Sequence, residues 1–144
     1  MKPTVFLISS ALAIGLSLAA VGIRAAVDTP PSLMSPVDYE QLKRALDADT
    51  RLGIARCREA PDAAREICRA EVRAQERVRK AELAARYYGT VSAQAELVTA
   101  RAKAAYDIAR ARCSVRAGEQ RADCLRAARA EKNKELAELK VRQS

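Results

Sequence analysis

Two cysteines with ten residues between them, Cys57 and Cys68, recur at the same spacing as Cys113 and Cys124. This doubled interval constrains the fold more than any other feature of the chain. Each interval holds a helix breaker, Ala60-Pro61-Asp62 in the first and Ala117-Gly118 in the second. Proline inside a helix removes a hydrogen bond and clashes with the preceding turn, so one unbroken helix does not carry both Cys57 and Cys68. Each copy reads as helix, tight turn, helix, with one sulfur on either arm. Four cysteines allow three pairings. The breakers favour Cys57 with Cys68 and Cys113 with Cys124, because the chain folds back inside each interval and brings its two arms together. By loop-closure entropy each such bridge contributes about 3 kcal/mol, against a domain stability of roughly 5 to 15 kcal/mol.

Staples of this kind suit a chain with little bulk to bury. At 144 residues there is room for one domain. Charged residues make up 31% of it, aromatic residues only 3%, and much of the remaining hydrophobicity is alanine, which forms helix readily but buries little area. The expected fold is all-α: tandem disulfide-stapled helical hairpins, about four helices in an elongated arrangement, with hairpin 1 over 36–88 and hairpin 2 over 89–144.

The first 25 residues read as an export signal. Lys2 is followed by an apolar or small run from Val5 to Ala20, with small-residue cleavage options after Gly22 and after Ala25. The run to Ile23 is just long enough to span a bilayer, so an uncleaved anchor in the inner membrane is the alternative. Loss of Lys2 and Arg24 with the signal takes the formal charge from +8 to +6. Export to the periplasm places the cysteines where disulfides form and persist. Residues 26–35, with Pro30 and Pro31, read as a flexible linker.

Beyond the linker, Ser35-Pro36-Val37-Asp38 opens the first helix, with serine at the cap and proline in the first turn. Glu40 with Arg44 and Asp47 with Arg51 are acid-to-base pairs four apart. Asp62 is the expected cap of the second helix. Its inner face reads as Ile67, Ala70, Ala74, Val78, Ala81, Ala85 and Tyr88, spaced by threes and fours. Gly89 suits a left-handed terminal position, and Thr90 or Ser92 can cap the third helix. That helix carries Leu97, Val98, Ala104, Ala105, Ile108, Ala109 and Cys113. The fourth runs from about Glu119 through Leu125, Ala128, Leu136 and Leu139.

Superposing the cysteines exposes an internal repeat. Ala55-Arg56-Cys57 matches Ala111-Arg112-Cys113, Arg65 matches Arg121, Arg73-Ala74 matches Arg129-Ala130, and Ala81-Glu82-Leu83 matches Ala137-Glu138-Leu139. The segments Asp62-Ala63-Ala64-Arg65-Glu66-Ile67-Cys68 and Gly118-Glu119-Gln120-Arg121-Ala122-Asp123-Cys124, with Ser35-Pro36-Val37-Asp38-Tyr39 and Ala84-Ala85-Arg86-Tyr87, resemble a group of small exported proteins of Gram-negative bacteria. Those proteins are rich in alanine and lysine and carry repeated Cys-turn-Cys hairpins with a Gly-Asn-Ala-Lys-Asp turn. The second segment keeps the glycine, basic and cysteine positions of that turn; the first lacks the Gly-Asn pair. The resemblance spans most of the mature chain and implies the hairpin fold and export, with no particular activity.

Composition narrows the chemistry further. The chain has no histidine, which removes the commonest general base and metal ligand, and its acids lie at ion-pair spacing to arginines. Structural zinc sites take a pair of ligands from a knuckle of two to four residues, and the ten-residue intervals do not provide one. No catalytic residue, metal, cofactor or small-molecule substrate is expected. Tyr39, Tyr87, Tyr88 and Tyr106 are the aromatics able to cluster, as filling for bundle ends. Acidic residues scattered among the arginines, together with export, argue against nucleic acid. A basic surface instead attracts anionic envelope components or acidic proteins in a salt-dependent way. The expected function is a non-enzymatic structural or interaction protein of the envelope; the alternatives are a periplasmic chaperone or stress adaptor and, with the signal retained, an arm of a membrane-anchored assembly. Homo-oligomerisation is left open.

Overall fold

The computed structural model describes residues 34–143. The expected signal over 1–25, and all but the last two residues of the expected linker, lie outside them. Four helices follow: α1, Pro36–Arg56; α2, Asp62–Tyr88; α3, Val91–Cys113; and α4, Gly118–Gln143, with a single 3-10 turn, Cys57–Glu59, between the first two. There is no strand among the described residues, and the fold is all-α. None of the described helices is long and apolar enough to cross a membrane.

Local chemistry accounts for the boundaries. The Asp38 N–H donates to Ser35 Oγ at 3.1 Å, and the Ser35 hydroxyl donates to Asp38 Oδ2 at 2.7 Å, closing the start of α1. At the first break the cap of α2 is Pro61 and not Asp62 as expected. Proline holds φ at −55° there, leaving Asp62 as the first helical residue, where its carboxylate pairs with Arg65 at 3.0 Å. No side chain caps this helix. Instead the Arg65 guanidinium donates twice to the Ala60 carbonyl, at 3.3 and 3.2 Å, and ties the turn from inside. Gly89 takes the left-handed conformation at φ 61°, and Thr90 caps α3 by accepting from the Ala93 N–H at 3.1 Å. Gly118 sits at φ 53°, which glycine adopts without steric cost.

Both bridges join chain neighbours. Cys57 is bonded to Cys68 and Cys113 to Cys124, with Cα separations of 5.6 and 5.7 Å. Since successive helices run antiparallel, the start of α2, the end of α3 and the start of α4 share one end of the molecule, so both bridges lie there. The Gly89 turn and the tyrosines of α1 and α2 occupy the other end.

The helices pack in series. Among the described residues α1 meets α2, α2 meets α3 and α3 meets α4, while the backbones of α1 and α3, α2 and α4, and α1 and α4 do not approach one another. The most extensive of these contacts is between α2 and α3, which joins the two hairpins along a helix and not only at Gly89. Among the described residues the buried set is Leu46, Leu83, Cys57, Cys113, Gly53 and the alanines 74, 85, 93, 100, 102 and 104. Small side chains thus fill the seams, as alanine-rich spacing predicts.

A helix packed on two sides needs two stripes. The expected inner face of α2 accounts for Ala74 and Ala85 but includes Tyr88, which is 55% exposed, and omits Leu83, which is 1% exposed. Val72 and Leu83 belong to a second stripe, turned toward Gly53, Leu42 and Leu46 of α1. At Gly53 a Cβ would lie 3.0 Å from Val72 Cγ1 and 3.2 Å from Cγ2, so the absent side chain is what lets α1 and α2 close. We expect Gly53→Leu to destabilise the fold by about 1–3 kcal/mol through overpacking. A compensating Val72→Ala in the same chain should recover most of that loss in urea denaturation; the absence of any recovery would show that the two positions do not share the seam.

Candidate functional site

Some of the charges on this surface are matched across helices. Asp47 takes Lys80 at 2.6 Å, Asp49 takes Arg79 at 3.2 Å, Glu82 takes Arg101 at 2.9 Å and Glu71 takes Arg112 at 2.7 Å. The expected pairs along α1 are therefore not the ones formed: Glu40 meets Lys43 at 3.0 Å, and Asp47 turns to α2. The hydrogen bond from Lys80 holds the Asp47 carboxyl below its ordinary range, despite an opposing effect of desolvation, and the Arg51 charge adds to the lowering. Lys80 is raised in turn by its hydrogen bonds to Asp47 and Glu76. Neighbouring helices bring these groups closer than the four-residue spacing along α1 does.

One region departs from this matching. Over α3, between α2 and α4, lies a groove of about 690 Å3 near the end that carries the disulfides. Its lining includes six arginines, Arg69, Arg73, Arg77, Arg110, Arg121 and Arg129, against two acids, Glu66 and Asp107. Both acids are already engaged, Glu66 with Arg69 at 3.0 Å and Asp107 with Arg77 at 2.5 Å. Four guanidinium groups remain without a carboxylate partner among the described residues: Arg73 on α2, Arg110 on α3, and Arg121 and Arg129 on α4. Each guanidinium presents a rigid fork of donors suited to carboxylate or phosphate oxygens.

The fold explains the convergence. Arg69, Arg73 and Arg77 follow one another at four-residue intervals along one face of α2, and Arg121, Leu125 and Arg129 do the same on α4. Because α2 and α4 run parallel on either side of α3, the two rows face the same space. Arg73 and Arg129 are equivalent positions of the repeat. Arg65 and Arg121 are equivalent too, but their work has diverged: Arg65 ties the first turn, whereas Arg121 lines the groove.

The residues singled out from the sequence are distributed around this site. Cys113 and Cys124 tether α3 to α4 and so fix one wall against the floor; Cys57 and Cys68 do the same for α1 and α2. Tyr39, Tyr87 and Tyr88 cluster, Tyr39 stacking on Tyr87 with centroids 4.2 Å apart and Tyr88 edge-on to Tyr87 at 4.9 Å. Burial, then the neighbouring Tyr88, pushes the Tyr39 hydroxyl above its ordinary value. Tyr106 does not join them. It lines the groove, with Lys132 of α4 4.6 Å from its ring centroid. The arginine groove itself is absent from the sequence reading, although the row at 69, 73 and 77 is a signal for one cationic stripe. No group of acids and cysteines that could hold a metal ion occurs among the described residues. Comparison with protein-family models, with curated proteins and with solved structures gives no match for this chain.

Proposed function

We propose that the protein is an exported, non-enzymatic interaction module of the cell envelope that engages anionic partners through the arginine groove. The observation that carries this reading is the convergence of four uncommitted guanidinium groups from three helices on one concave surface. Two disulfides suit a non-reducing compartment, and the N-terminal sequence supports export. Arginine heads that remain in water attract anions over a screened range, so binding governed by them weakens with salt.

The test is recruitment to vesicles. The protein lacking residues 1–25, with both bridges oxidised, should sediment with vesicles containing phosphatidylglycerol and not with neutral phosphatidylcholine vesicles. Raising the salt from roughly 0.1 M to 1 M shortens the Debye length from about 10 Å to 3 Å and should release it. Recruitment to both lipids alike, or recruitment indifferent to salt, would contradict the reading.

A second reading has one observation in its favour. Val37, Tyr88 and Val91 are 64%, 55% and 81% exposed at the end opposite the bridges, a surface on which a chaperone could hold an unfolded client. Suppression of client aggregation by the protein, lost on Val91→Asp, would favour it.

A further inference from the structure

We propose that the groove is a chelating site for a compact anion bearing at least two phosphoryl groups; this deepens, and rests on, the anion-binding reading. The number of uncommitted guanidinium forks sets the valence. Arg73 and Arg129 stand at repeat-equivalent positions on opposite walls, with Arg110 between them on α3. Each bidentate pairing takes two acceptor oxygens, so a single phosphoryl group serves only part of this set, whereas two joined phosphoryl groups offer oxygens for forks on both walls and the floor.

Charge and size agree with that valence. The two acids of the lining are held by Arg69 and Arg77, so no unpaired carboxylate of the lining opposes an incoming anion. Phosphate oxygens accept two parallel N–H bonds from each guanidinium fork. The groove volume of about 690 Å3 lies in the range of small-ligand sites. Tyr106, Leu125, Ala70 and Ala111 give the non-ionic part of such a ligand an apolar wall. The shared chemistry is two linked phosphates, whether free in solution or on a lipid headgroup.

Pyrophosphate is the probe. Titration calorimetry of the oxidised protein at fixed ionic strength should give one saturable site for pyrophosphate, bound at least about tenfold more tightly than orthophosphate, since a hydrogen bond to a charged group is worth roughly a factor of ten or more. Arg73→Gln and Arg129→Gln should each weaken pyrophosphate about tenfold. Arg44→Gln, on the exposed surface of α1, should leave it unchanged. Circular dichroism melts confirm that each variant is folded before it is titrated. Vesicles carrying a bisphosphorylated lipid that recruit the protein, and release it on addition of pyrophosphate, identify a headgroup ligand; pyrophosphate binding without such recruitment identifies a soluble one. Equal affinity for pyrophosphate and orthophosphate, or an Arg44→Gln loss as large as that of Arg73→Gln, would overturn the proposal. If the wild type shows no preference for pyrophosphate but sediments with phosphatidylglycerol vesicles in a salt-dependent way, and the Arg73→Gln/Arg129→Gln double variant does not, chelation fails and the broader anion-binding reading stands. Failure of the wild type to bind any anion removes both.

Discussion

Replacing Cys113 and Cys124 together by alanine will free α4 from the rest of the molecule while α1, α2 and α3 remain assembled. The bridge anchors α4 at Cys113, which is fully buried. Little else does. Among the described residues of α4 none is buried, and the ion pairs there, Asp123 with Arg126 and Glu138 with Arg142, stay within the helix. Against α3 it offers half-buried side chains and the Lys132 contact with Tyr106. Loss of a native disulfide from a small domain typically costs about 2–5 kcal/mol, and here the loss falls on one helix. Hydrogen exchange checks it: amides of 118–143 should lose protection in the double variant while those of 62–113 keep theirs. Uniform retention across α4 would refute the argument. The equivalent change at Cys57 and Cys68 should lower stability without releasing α1, which keeps Leu46, the close approach at Gly53, two ion pairs to α2 and the tyrosine stack.

Leu83→Ala should cost about 2–5 kcal/mol, the range for removing a buried leucine and leaving the space behind. Among the described residues Leu83 is the largest fully buried side chain, and it sits beside Leu42, Ala45 and Leu46 of α1. A loss of that size is a large fraction of an ordinary domain's stability. Leu46→Ala, at the edge of the same seam and 9% exposed, should cost less. Urea denaturation midpoints at constant slope provide the measurement. A Leu83→Ala variant within about 0.5 kcal/mol of the wild type, the range of a neutral surface change, would mean that ion pairs and the bridge, and not this contact, hold α1 to α2.

Local chemistry was readable in the sequence where one residue acts on its own backbone. Ser35, Pro36 and Asp38 start α1 as their side chains require, Gly89 ends α2, Thr90 starts α3, and the breakers at Pro61 and Gly118 turn the chain between the cysteines. The cap at Asp62 failed by one position because the adjacent proline takes the half-helical place. What depends on two helices at once was not readable. A single periodic face describes a helix with one neighbour, and α2 has two, so Leu83 lies off the face that the spacing marks. The acid Asp47 has a base four residues away in sequence, yet Lys80 competes for it from the next helix. For the groove, the row at Arg69, Arg73 and Arg77 is visible in the sequence. Its meeting with Arg110, Arg121 and Arg129 exists only once the third and fourth helices have folded back, and no interval along the chain encodes that.

The serial packing of the helices carries a last consequence. A molecule in which every helix touches only its predecessor and successor has no central knot whose loss dissolves the whole, and its stability is closer to a sum of links. Either outer helix can fray, be trimmed or be exchanged at the cost of a single link. On the anion-binding reading proposed above, α4, one wall of the groove, is then the natural place for such a chain to vary its grip.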